Sequence, residues 1–307
     1  MNHKIRYAIR LLWACLLHWK TLVKSGFLRN AFVLRRNQLL LFNTQRKVLV
    51  RCSLSDDGNK EIRNNFNFLT QHTSSCFPQP RGTVRGGRRI VCNETLLVGQ
   101  RPAIEIVTEE LTQLVISLLN QAVYKGREVQ THLDAKIEMD VYEERASALP
   151  DDVRRELAEV RRVLESSAST TTGDVVKTMI HGDMTYRNLV VSDTAISFCD
   201  FSRSGLSFPE FDVFLFVLDA QTYRHPPTTF ALFLDNILGF VNGGATMREV
   251  DFLYRINPAF RVNHKVEYPL KVLFLYRTLV HSLEYLKDRP KEMHEIINQV
   301  KFGFRSV

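Results

Sequence analysis

What this 307-residue chain lacks narrows its reading before any motif is considered. Its five cysteines, at 15, 52, 76, 92 and 199, form no CxxC pair. Neither a zinc site nor a disulfide framework is indicated, and reduced thiols fit a reducing compartment such as the cytoplasm. No acidic residue occurs before Asp56, while Lys and Arg recur from Lys4 to Arg51. The net charge of +8 is therefore unevenly spread. Such a segment is either a basic face toward phosphates, an anionic membrane or an anionic substrate, or a plain solvated surface. No glycine-rich phosphate loop precedes Asp56, where Gly26 stands alone. No nucleic-acid motif is recognisable, so nucleic acid is not an expected partner. The apolar run Leu11 to Leu17 is far short of the roughly 20 residues that span a membrane.

Residues 1–24 nevertheless carry a pattern. Ile5, Ile9, Leu12, Trp13 and Leu16 fall on one helical face. Such a helix docks on its own domain or lies on a membrane surface, with Lys and Arg near anionic lipid. The start lacks the small-residue cleavage pattern of a secretory signal, and its acid-poor, arginine-bearing composition is also that of an organelle transit peptide. Phe32 to Leu34, Leu39 to Phe42 and Lys47 to Arg51 read as strands joined by the polar turns Arg35–Asn37 and Asn43–Arg46, an antiparallel sheet. Ser55 to Asn59 opens a helix carrying Glu61, Ile62, Phe66 and Leu69. Arg51 on a strand and Glu61 on the next helix are expected to pair and hold a cation against nucleotide phosphates. The arginine-rich stretch 72–89 reads as a hairpin or a basic loop over the site, and Arg89 to Cys92 as a strand. The following Gly and Pro mark a hinge between a small domain, 25–98, and a large one, 99–307.

Helical spacing runs from Ala103 to about Val129 and from Pro150 through Leu164; 166–173 is a polar connector. The densest chemistry follows. Val175 to Ile180 reads as a strand delivering His181, Gly182 and Asp183. Two short strands, Leu189–Val191 and Ala195–Cys199, form a hairpin that brings Asn188 and Asp200 together. An amide and a carboxylate so placed are oxygen ligands for Mg²⁺ against nucleotide phosphates. Asp183 is placed to accept the proton of a substrate hydroxyl. His181 reads as a structural histidine bonding backbone near the loop.

The run HGDMTYRNLVV, then CDF, then FD, resembles the aminoglycoside phosphotransferase and choline kinase-like family of protein-kinase-like enzymes. The resemblance implies an α+β, protein-kinase-like two-lobed fold and an ATP- and Mg²⁺-dependent kinase with a small-molecule hydroxyl acceptor. It implies Asp183 as catalytic base, Asn188 and Asp200 as metal ligands, and Asp212 as a later acid that begins a helix and braces the catalytic loop. It likens VLVR at 48–51 to the nucleotide-lysine strand, with Arg51 in place of Lys, and Glu61 to the helix glutamate. It places adenine against the backbone of Asn93, Glu94 and Thr95. Arg is not interchangeable with Lys at such a point, because a planar fork replaces a compact ammonium. The last third offers helices at 230–241, 247–254 and 269–286, whose aromatics line an acceptor pocket or, more ordinarily, a core. No acidic cluster there marks a polycationic acceptor, which weakens an aminoglycoside reading; the resemblance implies a sugar or glycan-related metabolite, and the basic N-terminus suits an anionic or lipid-linked one. An antibiotic or choline-like amine kinase and a catalytically inactive kinase-like binding protein stay open.

Overall fold

Short apolar runs separated by polar turns build the first layer. The computed structural model describes residues 3–18, 31–35, 37–82, 85–86, 89–103, 105, 107–126, 128–168, 172–224, 229–243 and 247–304. Gly26, Arg36, Ile104 and part of the 166–173 connector lie outside the described residues. β1 (Ala31–Leu34), β2 (Gln38–Asn43) and β3 (Val48–Ser53) form an antiparallel meander. β4 (Arg85–Gly86) and β5 (Ile90–Thr95) complete the sheet in the order β1-β2-β3-β5-β4. Within the arginine-rich stretch, Arg85 and Gly86 pair with Val91 and Ile90 of β5. Leu39, Leu41, Val50, Cys52 and Leu54 pack on one side of the sheet with Ala14. Ala14 belongs to α1 (His3–Leu17), which docks through Leu11, Ala14 and Cys15 and through His18, whose Nε2 lies 2.7 Å from the Ser53 carbonyl oxygen. Docking uses the face opposite the one marked by Ile9, Leu12, Trp13 and Leu16, which is exposed.

The second side is covered by α2 (Asp56–Gln71), through Ile62 on Ile90 and Cys92. Ser55 caps it by accepting from the Gly58 N–H at 3.0 Å, and Asp56 and Asp57 sit at its positive end. Gly58 lets this helix approach the β1–β2 turn: a Cβ there would lie 2.2 Å from the Asn37 carbonyl oxygen.

The chain divides into two compact units. The smaller, Met1–Pro102 with His181–Asp183 and Arg187–Gly205, contains the sheet and the hairpin motif. The larger is mostly helical. It holds α3 (Glu109–Leu119), a π turn at Asn120–Tyr124, β6 (Val129–His132), α4 (Ala135–Ala146), α5 (Asp151–Ala168) and β7 (Asp174–Ile180). β8 (Leu189–Val191) and β9 (Ile196–Phe198) form the hairpin of the smaller unit, and β10 (Gly205–Ser207) lies beside β7. Then come α6 (Pro209–Tyr223), α7 (Phe230–Asn242), α8 (Arg248–Ile256), α9 (His264–Tyr285) and α10 (Pro290–Gly303). Among the described residues no helix is long and apolar enough to cross a membrane.

Boundaries differ from periodicity where a cap decides them. The helix expected from Ala103 starts at Glu109, because the Thr108 hydroxyl accepts from the Leu111 N–H at 3.3 Å. The helix expected from Pro269 starts at His264, capped by Asn263, and carries Pro269 inside it. In the larger core, Glu210 accepts from the Tyr254 hydroxyl at 3.0 Å, and burial pushes its carboxyl up to about 7. Among the aromatics of α8 and α9, Tyr276 is fully buried and Tyr254 is engaged by Glu210.

Alanine for glycine in a helix normally stabilises by about 0.5–1 kcal/mol. Gly58→Ala is expected to do the opposite here and lower the thermal midpoint, since two backbones must separate. A raised midpoint would show that α2 and the β1–β2 turn are not in contact.

Candidate active site

β7 ends at Ile180, and the next three residues carry the first acid. His181 is fully buried, with Nε2 3.0 Å from the Cys199 carbonyl oxygen and its ring 4.6 Å from that of Phe201. Gly182 has φ of +81°, and a Cβ on it would lie 2.0 Å from the Arg203 carbonyl oxygen, so only glycine fits. Asp183 follows, with Oδ1 3.9 Å from Arg203 Nη1. Asn188 donates through Nδ2 to the Asp183 carbonyl oxygen at 2.7 Å and to Asp183 Oδ2 at 3.2 Å. The ladder of β8 and β9 pairs Leu189 with Phe198, and the Cys199 N–H donates to the Asn188 carbonyl oxygen at 2.9 Å. Asn188 therefore ends beside the residue that precedes Asp200, as the hairpin reading required.

Asp200 adopts the left-handed conformation, φ 68° and ψ 63°, which few non-glycine residues hold. Its neighbour anchors it. The Phe201 N–H donates to Asn65 Oδ1 of α2 at 2.9 Å, and the Phe201 ring stacks on Phe68 at 4.1 Å and meets Phe77 edge-on at 4.9 Å. Burial alone would raise the pKa of the Asp200 carboxyl. Arg51 and then Arg35, with the hydroxyl of Ser202, outweigh it and hold the group well below the usual carboxylate range. Arg35 Nη1 donates to Oδ2 at 2.5 Å, and Arg51 Nη1 lies 3.8 Å from Oδ1. Oδ1 is buried without a hydrogen bond. Asn188 has its amide nitrogen on Asp183, so its carbonyl oxygen is the atom left to ligate. An orphaned carboxylate oxygen and an amide oxygen fit a hard divalent cation whose remaining ligands are phosphates and water. Among the described residues no group of three His, Cys, Asp or Glu gathers to hold a metal by itself.

The expected Arg51–Glu61 pair is not formed. Arg51 and Glu94 are 3% and 1% exposed, and Arg51 Nε and Nη2 meet Glu94 Oε1 at 3.0 and 2.9 Å. Glu94 Oε2 accepts from Asn65 Nδ2 at 2.7 Å. Glu61 instead accepts from Asn37 Nδ2 at 2.9 Å and Gln38 Nε2 at 2.7 Å, bracing the β1–β2 turn. The reason is register: Arg51 stands opposite Cys92 in the β3–β5 ladder, so the strand itself delivers Glu94. The backbone at Asn93, Glu94 and Thr95, where an adenine contact is expected, is already engaged. These residues lie within β5, where β3 pairs one edge; on the other, Asn93 and Thr95 bond the backbone of Arg81 and Gln79. Asp212 does not begin its helix, which starts at Pro209; it is buried and accepts from the Tyr124 hydroxyl at 3.3 Å. Arg35 and Asn65 were missed. For Asn65 a signal existed: the buried stripe of α2 is Gly58, Ile62, Asn65, Phe68 and Leu69, with an amide at a core position.

The sheet order and the hairpin with its left-handed Asp define the class: the protein-kinase-like fold, a small antiparallel sheet unit with a larger helical one. Solved structures share it. Amicoumacin kinase hAmiN, in complex with AMP-PNP, Ca²⁺ and Ami, is similar with TM-score 0.56 and 11% identity over 92% of this chain and 93% of that one. Choline kinase LicA from Streptococcus pneumoniae gives 0.54 and 12% over 93% and 99%. Aminoglycoside phosphotransferase APH(4)-Ia gives 0.53 and 11% over 94% and 99%. At such identities the likeness is one of fold. No sequence-family profile and no curated protein matches the chain.

If Glu94 rather than Glu61 is the counter-ion of Arg51, the two glutamates differ in stability. Glu94→Gln is expected to lower the unfolding free energy in urea by about 3–5 kcal/mol, the loss when one partner of a buried pair is removed. Glu61→Gln is expected to cost about 1 kcal/mol, because the amide keeps one oxygen acceptor for its part-buried contacts with Asn37 and Gln38. Equal losses would contradict the relocated pair.

Proposed function

We propose that the chain is an ATP-dependent phosphotransferase that moves the γ-phosphoryl group to a hydroxyl of a small molecule. The observation that carries this reading is the group formed by Asp183, Asn188 and Asp200: an accessible carboxylate tied to an amide, beside a left-handed aspartate with one unbonded buried oxygen. The acceptor oxygen bonds to the γ-phosphorus, the bond to the ADP oxygen breaks, and Asp183 takes the acceptor's proton. Asn188 fixes the Asp183 carboxylate through Nδ2, which leaves its carbonyl oxygen as the atom that would hold a metal. Bound Mg²⁺ would supply charge neutralisation there, held by Asn188 and Asp200. Arg51, its Nε and Nη2 fixed by Glu94, keeps Nη1 as the donor for phosphate oxygens. The adenine meets the backbone of residues 96–98 rather than 93–95. That stretch follows β5; the Leu96 N–H is taken by the Lys47 carbonyl oxygen, so Leu97 and Val98 are the residues whose backbone would meet the base.

The acceptor class we favour is a sugar or a glycan- or lipid-linked metabolite. The similar structures include kinases for choline, amicoumacin and aminoglycosides, and cationic acceptors call for carboxylates. A cavity of about 330 Å³ in the larger unit, lined by Gln221, Thr222, Arg224, Leu232 and Asn236, presents amides and a guanidinium and no carboxylate. A second reading, nucleotide binding without transfer, is favoured by one contact: Arg35 already occupies Asp200 Oδ2.

A Mg-ATP turnover screen over sugars, glycan intermediates, aminoglycosides and choline separates the two. With the acceptor found, Asp183→Asn is expected to lower kcat about 10²–10⁴-fold, the usual contribution of a positioned base, with nucleotide affinity unchanged. Nucleotide binding with no turnover on any acceptor supports the second reading. Arg35→Gln removes a cation from Asp200 and is expected to tighten Mn²⁺ binding to the nucleotide-free protein about fivefold, read by electron paramagnetic resonance. An unchanged Mn²⁺ affinity would mean that Arg35 and the metal do not share this carboxylate.

A further inference from the structure

We infer that α1 is a membrane-surface helix that seats the small unit on an anionic bilayer. This stands on the fold of the N-terminal segment and is independent of the catalytic reading. The helix carries two apolar stripes on opposite faces. Leu11, Ala14, Cys15 and His18, at spacings of three, one and three, face the sheet and join its core cluster. Ile9, Leu12, Trp13, Leu16 and Leu17 recur at the same kind of spacing and point away from it, between 41% and 67% exposed. Single exposed apolar residues are ordinary on protein surfaces, but five on one face of a 15-residue helix form a patch.

Charge decides what covers the patch. The helix contains Lys4, Arg6 and Arg10 and no acid, and no acid occurs anywhere before Asp56. A second copy meeting it face to face would bring two acid-free basic segments together, which like-charge repulsion opposes. An anionic lipid surface accepts both the apolar stripe and the basic composition: Trp and Leu enter the headgroup–acyl boundary, while the acid-free, Lys- and Arg-bearing sequence before Asp56 is attracted by the negative surface potential. At 15 residues the helix is too short to span, so it lies in the interface plane. The opposite stripe stays docked on β2 and β3, and the bond from His18 to Ser53 ties its end to the sheet.

The test is cosedimentation of the full chain with large unilamellar vesicles. One set is phosphatidylcholine alone, the other phosphatidylcholine with phosphatidylserine as about a third of the lipid. The chain is expected to partition at least about tenfold more strongly onto the anionic vesicles, and Leu12→Glu with Leu16→Glu to reduce that partitioning at least about tenfold. The melting curve of the double variant should match the wild type, because neither residue packs on the sheet. In a Trp19→Phe background, Trp13 emission should shift to the blue on the anionic vesicles. Three results would each overturn the inference: no sedimentation with anionic vesicles, sedimentation undiminished in the double variant, or a wild-type dimer that the double variant abolishes.

Discussion

The buried pair between Arg51 and Glu94 is the contact on which the candidate site depends. Taking two charges out of water costs several kcal/mol per ion, so such a pair persists only with good geometry and with its remaining polar atoms bonded. Both conditions are met. The guanidinium places two nitrogens on one carboxylate oxygen, and Asn65 bonds the other. Asn65 in turn accepts from the Phe201 N–H, the residue that follows Asp200. One polar chain therefore runs from β3 through β5 and α2 to the proposed metal ligand. An arginine suits this role. Its fork engages Glu94 with two nitrogens and still presents a third toward Asp200, which a single ammonium could not do with fixed direction.

Asp200 is the other end of that chain, and its charge is heavily compensated. Two guanidinium groups, from β3 and from the β1–β2 turn, face one carboxylate. The turn has no glycine-rich loop; it has Arg35, with Asn37 and Gln38 held by Glu61. Glu61 thus serves the turn and not the strand cation. The two cations balance Asp200 and Glu94, so what the cluster would offer phosphates in the proposed reaction is directed guanidinium N–H donors rather than net charge.

The thiols and α1 show how burial sorts residues that look alike in sequence. Cys52 and Cys92 are buried in the small unit, and desolvation pushes both up to about 12, so neither is a nucleophile at neutral pH. All five cysteines are free. In α1, Leu11 and Leu12 are neighbours of the same type, yet one packs on the sheet and the other faces outward, because a helix turns by about 100° between them.

Much of this was legible in order along the chain. The three-strand meander, the helix after Ser55, the hairpin between Asn188 and Asp200, and the burial of His181 all follow from local periodicity, turn residues and short spacings, which act within a few residues. The last helix, Pro290–Gly303, has no counterpart in the apolar spacing, and the helix expected to begin at Asp212 begins at Pro209, since proline placement decides boundaries more sharply than apolar spacing does. Partnership across the chain belonged to the tertiary structure. Ten residues separate Arg51 from Glu61 and forty-three from Glu94, yet strand register brings the distant acid to the cation. The same holds for Arg35 on Asp200, 165 residues away, and for which face of α1 the sheet claims. Sequence spacing carries the chemistry of a loop or a hairpin; sheet pairing and helix packing choose among residues that spacing leaves equivalent.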